Sequence, residues 1–197
     1  MKTLTYVTTK DVNELAWPEL QQNTGLYSPA TRVFTDFKVS IPRVIEPTVR
    51  ADVLANIMKK EHVRMKVVVD AKNSFLGIVS LEDLSEEAFI KQAAAGYLRD
   101  ELLAIDLMRP KEELLAVSYS SLKNSDIESL IYSQKSNPFQ HLLVVDEETK
   151  AIRGLISAND IVRQLKLNVD VTTSTSFAKL HAVIEGDYAQ SKRLRVA

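Results

Sequence analysis

The sequence has no cysteine, only five glycines, and no apolar run that approaches the ~18 residues of a membrane span. Without cysteine there can be no disulfide, thiolate metal ligand or cysteine nucleophile. The glycines are too widely spaced to form a GxGxxG or GxxxxGK[ST] phosphate loop. The three histidines have no metal-ligand spacing, and no GxSxG nucleophile motif occurs. These absences argue against an enzyme, a metal protein and a membrane protein.

An excess of charge of either sign is also missing. Lysine and arginine total 25, and aspartate and glutamate total 26, whereas proteins that bind nucleic acid usually have a basic surplus. The first residues, MKTLTYVTTKD, lack the apolar core of a signal peptide. We therefore expect a cytoplasmic protein whose composition disfavours nucleic acid as a partner.

The sequence does contain one short motif, here called the phrase, that occurs twice. GIVSLED occupies residues 77–83 and GLISAND occupies residues 154–160, so the glycine, serine and aspartate of one copy stand 77 positions from those of the other. Each copy ends a longer matching unit, MKVVVDAKNSFLGIVSLEDL from residue 65 and HLLVVDEETKAIRGLISANDI from residue 141. Internal repetition of this kind usually reflects packed copies of one small folding unit.

Each unit is typical of a β-hairpin that follows a helix. Two aliphatic runs flank a polar turn, and because neither run alternates with polar residues, we expect both faces of the strands to be covered. Apolar residues recur at helical spacing ahead of each hairpin, first at Val53, Leu54 and Ile57 and then at Ile127 and Leu130. A short extended segment precedes each of these helices.

A further helix is expected after each hairpin, beginning near Leu81 and near Ala158, which makes each unit a β-α-β-β-α repeat. Ser125 with Glu128 resembles a capping box for the helix ahead of the second hairpin. A repeat of about 60 residues buries too little surface to be stable alone. The predicted fold class is therefore α/β (α+β), with two such repeats packed through their sheets in pseudo-two-fold symmetry.

We divide the chain into an N-terminal extension at residues 1–32, a first repeat at 33–96, a second repeat with its connecting helix at 97–167, and a C-terminal extension at 168–197. The connection between the hairpins is predicted to be mostly helical, with a break at Gly96. Apolar residues at helical spacing in the C-terminal extension predict a helix that packs on this module or on a second copy.

The doubled signature is an aliphatic run that ends in aspartate, a turn, and then Gly–apolar–apolar–Ser–x–x–Asp. It resembles the signature of CBS-domain proteins, and the resemblance covers roughly residues 33–167. It implies a tandem CBS pair, or Bateman module, with two clefts that in this family commonly bind AMP, ADP, ATP or S-adenosylmethionine. It also implies a disk-like homodimer that regulates another protein. We expect a stand-alone module with an unknown regulated partner and no tightly bound cofactor.

The resemblance places the ligand on the repeated phrase. Carried over from the family, Ser80 and Ser157 are the phosphate-side residues, and Asp83 and Asp160 hold the ribose. A serine beside the unpaired N–H groups of a helix start can donate to a phosphate, and an aspartate one turn later can accept from both ribose hydroxyls. The same pattern is close to a helix cap, which would satisfy backbone donors only.

Basic residues five or six positions before the aspartate of the first hairpin strand would, by the same resemblance, meet the phosphates. Arg64 and His141 hold these places. Arg64 would offer its donors at any pH, whereas His141 would help most when protonated. The alternative for both is an ordinary surface or packed residue.

The leading hypothesis is a regulatory, non-enzymatic module that senses an adenosine-containing ligand and signals through the geometry of a homodimer. The alternative is a structural or interaction protein whose clefts are degenerate and unoccupied. We predict that the second repeat binds the ligand better than the first, because SANDI has small Ala158 and polar Asn159 where SLEDL has bulkier Leu81 and the acid Glu82.

Overall fold

The computed structural model describes Thr8, residues 24–167 and residues 175–194, with side chains as far as Gly186 in the last range. The Trp17–Pro18 pair lies outside these residues, as do the side chains of the basic run SKRLR near the C-terminus.

Two four-stranded sheets form the centre of the described structure. The strands are β1 (Phe34–Asp36), β2 (Val44–Ile45), β3 (Met65–Val69), β4 (Phe75–Ser80), β5 (Arg109–Pro110), β6 (Ala116–Ser118), β7 (His141–Asp146) and β8 (Ala151–Ser157). One sheet has the order β2-β3-β4-β5 and the other the order β1-β8-β7-β6. In each sheet an antiparallel hairpin, β3-β4 or β7-β8, pairs in parallel with the short strand that precedes the helix.

Helices pack against both sheets. They are α1 (Ala51–Lys60), α2 (Glu86–Ala94), α3 (Ala104–Leu107), α4 (Tyr119–Lys123), α5 (Ile127–Ser133), α6 (Ala158–Gln164) and α7 (Phe177–Leu194), with short 3-10 turns at Ala30–Val33 and Lys111–Glu113. The predicted helices ahead of the hairpins correspond to α1 and α5. The predicted C-terminal helix is α7, and its Phe177, Leu180 and Ile184 are buried in the core of the second repeat.

The first strand of each repeat pairs with the sheet of the other repeat. We call these two strands, β1 and β5, the leading strands. β1 runs antiparallel to β8, with Thr35 opposite Leu155. β5 runs antiparallel to β4, with Arg109 opposite Ile78. Each sheet is therefore completed by a strand from the other half of the chain, and Thr35 and Arg109 occupy equivalent places.

The glycine of the repeated phrase is required by this exchange of strands. A Cβ atom on Gly77 would lie 2.3 Å from the carbonyl oxygen of Arg109, and a Cβ atom on Gly154 would lie 2.1 Å from the carbonyl oxygen of Thr35. Nonbonded atoms do not approach so closely, so each leading strand can pair only where the facing residue has no side chain.

Apolar clusters lie on both sides of each sheet. One cluster joins the first sheet to its helices, and another joins the second sheet to α5, α6 and α7. A further cluster lies between the sheets, where Met65, Val67 and Ile78 of the first repeat pack with Leu143 of the second. This arrangement confirms the predicted fold class and the prediction that both faces of the strands are covered.

One predicted helix start is wrong by a few residues. The helix expected near Leu81 begins at Glu86, after a turn, because Ser85 accepts a hydrogen bond from the amide of Ala88 at 3.3 Å and so caps the helix there. The connection between the repeats is also less helical than predicted. It breaks at Gly96, whose φ is 95°, and resumes only as the four residues of α3.

The N-terminal cap of α5 also differs from the prediction. Asp126, not Ser125, is the capping residue, and its carboxylate accepts from the amide of Ser129 at 2.8 Å. The hydroxyl of Ser125 instead donates to the carbonyl oxygen of Ser121 at 2.8 Å. An ionised carboxylate is the stronger acceptor for a helix N-terminus, which is why it takes this position.

Candidate functional site

A cavity of about 370 Å³ lies between the repeats at the end of β8. The first repeat contributes His62, Arg64 and Met65 to its lining, and the second repeat contributes His141, Leu155, Ser157, Asn159, Asp160 and Arg163. The volume falls within the roughly 300–1,000 Å³ of small-molecule sites. We call this cavity the second cleft, because it contains the serine and aspartate of the second phrase.

Strand pairing brings Ser157 and His141 together in the second cleft. The two residues are directly opposite each other in the β7-β8 hairpin, so their side chains stand on the same face of the sheet. Ser157 is 7% exposed and His141 is 9% exposed. Ser157 is also the N-cap residue of α6, but its side chain makes no capping hydrogen bond. Capping therefore does not explain the serine of the second phrase.

The start of α6 offers fewer backbone donors than the sequence interpretation assumed. The helix has only seven residues, and the amide of Ala158 already donates to the carbonyl oxygen of Gln140 at 2.9 Å. An anion in the second cleft would therefore depend on side-chain donors.

Two buried polar atoms of the second cleft have no hydrogen-bond partner among the described residues. They are Nδ1 of His141 and Oδ1 of Asn159, and Asn159 is 8% exposed. Leaving a buried polar atom unsatisfied costs about 1–3 kcal/mol. Such atoms commonly mark a place where a ligand or an ordered water binds.

His141 is neutral at physiological pH. Its pKa is lowered to about 4, first by burial and then by the positive charges of Arg109 and Arg64. At that pH His141 therefore lacks the protonated form in which it would help a phosphate most. A neutral imidazole offers one donor and one acceptor instead, and the influence of the two arginines shows that the surroundings of the ring are electropositive.

Arg64 and His141 do not occupy equivalent positions, contrary to the sequence interpretation. The carbonyl oxygen of Arg64 accepts from the amide of Leu81 at 3.0 Å, and that of Gln140 accepts from the amide of Ala158 at 2.9 Å. Gln140 is therefore the counterpart of Arg64 in the second repeat. Arg64 itself lies in the second cleft, so each repeat contributes a different part of this site.

Asp160 forms an ion pair with Arg163, which follows one turn later in α6. Their side chains are 34% and 71% exposed, so the pair lies at the mouth of the second cleft. Sequence reasoning missed Arg163, because an arginine three residues after an aspartate is an ordinary ion pair on a helix surface. In the folded structure Asp160 lies beside a cavity, and this places Arg163 at a candidate binding site.

In the first repeat, the serine and the aspartate of the phrase bond to each other. The amide and the hydroxyl of Ser80 both donate to Oδ2 of Asp83, at 2.7 and 2.6 Å. Nε of Arg109 lies 3.5 Å from the same oxygen, which is an ion pair by distance without the geometry of a hydrogen bond. Asp83 is therefore already bonded within the protein. Ser80 makes local, cap-like contacts, which the sequence analysis gave as the alternative to ligand binding.

The leading strands account for this difference between the repeats. Arg109 of β5 reaches Asp83, whereas its counterpart in β1 is Thr35, which has no charge to offer Asp160.

Within the residues that the structure describes, no three His, Asp or Glu side chains are grouped to hold a metal ion. Nor is any helix in this part of the chain both long and apolar enough to cross a membrane.

Comparison with known proteins agrees with this architecture. The CBS domain family model matches residues 37–89, which run from just after β1 into α2. A search of curated proteins gives no match. Among solved structures, an uncharacterized conserved protein from Pyrococcus horikoshii is 14% identical with a TM-score of 0.54, and the match covers 75% of this chain and 99% of that one.

A CBS-domain containing protein from Agrobacterium tumefaciens is 20% identical with a TM-score of 0.53, over 77% of this chain and 98% of that one. CBSX2, a CBS-pair protein from Arabidopsis thaliana, has been solved in complex with AMP. That complex is 21% identical with a TM-score of 0.48, over 70% of this chain and 94% of the other.

The family match identifies a CBS domain at residues 37–89, and the chain shares the fold of the CBS-domain containing protein from Agrobacterium tumefaciens. Its second repeat has the same order of strands as the first, with two helices, α4 and α5, where the first has α1, so the chain has the fold of a CBS pair.

Proposed function

We propose that this protein is a regulatory module that binds an adenosine-containing nucleotide in the second cleft. One observation carries the proposal. Ser157, Asp160 and Arg64 meet in a cavity of about 370 Å³, beside two buried polar atoms that lack partners in the described part of the chain. Serine and arginine can donate to a phosphate, and a carboxylate can accept from two ribose hydroxyls.

The rest of the lining suits a purine base. Met65 and Leu155 contribute apolar surface to the cavity, on which a flat ring can pack. The imidazole of His141 and the side-chain amide of Asn159 line the same cavity, and such groups can hydrogen-bond to ring nitrogens or to an exocyclic amine. The cleft therefore has a separate kind of surface for each of the three parts of a nucleotide.

Regulation would follow from the shared lining. Because both repeats contribute residues to the second cleft, a bound nucleotide favours the arrangement of the repeats in which these residues surround it. A ligand shifts such an equilibrium by its difference in affinity for the two arrangements. The shifted arrangement is what a regulated partner would detect.

A homodimer is part of the proposal, and exposed apolar side chains in α2 and just after it support it. Ile90 in α2 and Tyr97 and Leu98 just after it are 66, 57 and 61% exposed. In the second repeat, α7 packs on α5 and α6 and buries part of their apolar surface within the chain. The surface around α2 is therefore where a second copy would pack.

Light scattering tests the homodimer. Ile90→Glu combined with Leu98→Glu should give a folded monomer, because two charges would be buried without partners in the interface. Tyr27→Glu is the control, because Tyr27 is 73% exposed but lies outside the first repeat. A wild-type protein that is monomeric at micromolar concentration, with and without nucleotide, would contradict the homodimer.

The binding proposal is tested first by thermal shift with AMP, ADP, ATP and S-adenosylmethionine. A ligand at 100 times its dissociation constant should add about 2.7 kcal/mol to the free energy of unfolding. Calorimetry on Asp160→Ala should then show a loss of about 1–3 kcal/mol in binding free energy, because a ribose hydroxyl is left unpaired.

Asp83→Ala is the matched control, because Asp83 is already bonded to Ser80 and close to Arg109. It should leave the affinity unchanged. If none of the ligands raises the melting temperature, the clefts are degenerate and the protein is an interaction module instead.

A further inference from the structure

We propose that Arg163 makes the second cleft selective for adenosine nucleotides that carry two or more phosphates. The inference rests on the proposed function and adds the charge class of the ligand to it. It arises from the ion pair at the mouth of the cleft, which places a guanidinium on the carboxylate proposed to hold the ribose.

Asp160 cannot give its carboxylate fully to a ribose and keep Arg163 in place. The ion pair joins Oδ1 of Asp160 to the guanidinium of Arg163. Ribose hydroxyls that bind both oxygens of this carboxylate compete with the guanidinium for Oδ1 and weaken its charge-assisted hydrogen bond. A ligand that brings its own anion to the mouth replaces this lost partner, and a ligand without such an anion does not.

The surroundings of Arg163 make an anion the favoured replacement. Arg64 and His62 line the same cavity, and Asp160 supplies the acidic side chain among its lining residues. The charges of Arg64 and Arg109 also act on His141, so the field inside the cleft is positive. Ribose hydroxyls are neutral, so a ribose that binds Asp160 brings no negative charge of its own to this field.

Arg64 and Arg163 lie at different places in the cleft, and we assign different phosphates to them. Arg64 lines the cleft together with buried Ser157, and we assign a first phosphate to these two residues. Arg163 is 71% exposed at the mouth, where a second or third phosphate would extend. AMP therefore leaves Arg163 without a partner, whereas ADP and ATP supply one.

Two other adenosine ligands are disfavoured by the same reasoning. Adenosine carries no anion, so it breaks the ion pair between Asp160 and Arg163 without compensation. S-adenosylmethionine has a net positive charge, because its sulfonium and ammonium groups outweigh its one carboxylate, and the arginines repel it. The expected order of affinity is ATP and ADP first, then AMP, then adenosine and S-adenosylmethionine.

The test is calorimetry with adenosine, AMP, ADP and ATP at fixed ionic strength without magnesium. Wild-type protein should bind ADP roughly tenfold or more tightly than AMP, the gain expected from a charge-assisted hydrogen bond. Arg163→Gln should reduce that gain to less than about threefold, without weakening AMP. Arg163→Lys keeps the charge but not the planar fork of donors, and it should retain part of the gain.

Arg99→Gln is the matched control. Arg99 is a half-exposed arginine that pairs with Glu86 away from the second cleft, and its replacement should leave the preference for ADP intact. The inference alone is overturned if AMP binds through Asp160 but ADP binds no more tightly, or if Arg163→Gln keeps the full preference. If no adenosine ligand binds the wild-type protein, the proposed function fails and the inference fails with it.

Discussion

Nε of Arg109 lies 3.5 Å from Oδ2 of Asp83, and the Arg109 guanidinium stacks 4.1 Å from the centre of the Phe139 ring. Ser80 donates to the same carboxylate oxygen, so the residues that would hold a ligand in the first repeat hold each other. Thr35 stands at the equivalent place beside the second repeat. The serine and the aspartate of the two phrases are therefore engaged differently, although the phrases themselves are nearly alike.

Arg109→Thr should open a second nucleotide site in the first repeat, because it gives that repeat the residue found at the equivalent place in the other. The measurement is the stoichiometry of nucleotide binding by calorimetry, which should rise by one further equivalent per chain. Arg99→Thr is the control, since Arg99 likewise pairs with a carboxylate, that of Glu86, and lies over a phenylalanine ring, that of Phe89. An unchanged stoichiometry in a folded Arg109→Thr protein would show that Arg109 does not block the first cleft.

Ser80→Ala should mainly lower stability, whereas Ser157→Ala should mainly weaken nucleotide binding. Ser80→Ala removes a 2.6 Å hydrogen bond to a carboxylate and should lower the free energy of unfolding by about 1–2 kcal/mol. Ser157 makes no capping bond, so Ser157→Ala should change stability by less than about 0.5 kcal/mol while weakening nucleotide binding. Urea unfolding and calorimetry measure the two quantities. Equal losses of stability in both variants would point to a structural role for both serines.

Stability should fall as the pH is lowered from about 6.5 to about 4, because His141 must gain a proton on unfolding. Its ordinary pKa is 6.5 and its pKa in the folded protein is about 4, so between these values the unfolded chain binds more protons than the folded one. The free energy of unfolding then rises with pH, by about 1.4 kcal/mol per pH unit at the steepest.

His141→Gln should remove most of this slope when urea unfolding is measured across the same pH range. The pKa values of Asp36 and Asp146 are lowered below 3.8, by the Arg153 guanidinium and by the amide of Thr149 respectively. Their effect on stability therefore belongs to a more acidic range. A slope as steep in His141→Gln as in the wild type would contradict the assignment to this residue.

Gly77→Ala and Gly154→Ala should each lower the free energy of unfolding by about 1–3 kcal/mol or more, because the new methyl group overlaps the backbone of a leading strand. Gly25→Ala is the control, since a Cβ atom there has no neighbour within 4 Å. Urea unfolding is the measurement. Wild-type stability in Gly154→Ala would mean that β1 does not approach β8 as closely as described.

Much of the fold could be predicted because its signals are local and occur twice. The aliphatic runs of the hairpins and the helical spacing at Val53, Leu54 and Ile57 are readable over a few residues each. The start of α2 at Glu86 could not be fixed in this way. Two serines, Ser80 and Ser85, each offered an acceptor for a helix start, and only the folded turn decides between them.

The candidate site was less predictable because it combines residues that are distant in the sequence. The signature pointed to Asp83 and Asp160 equally, yet Arg109 approaches only the first, from a strand whose pairing the local sequence does not reveal. Arg64 was named from its place before a strand, but the cleft that it lines belongs largely to the other repeat. These relationships depend on the exchange of the leading strands, which has no local signal.

The exchange of the leading strands also holds the two halves of the chain together independently of the covalent link between them. Residues 95–101 form an exposed stretch between them, so a protease could cut there without disturbing either sheet. Each fragment would still hold the strand that completes the other, through the pairings of β1 with β8 and of β5 with β4. The severed protein should therefore remain associated, and a chain with a single repeat could complete its sheet only by lending its first strand to another copy of itself.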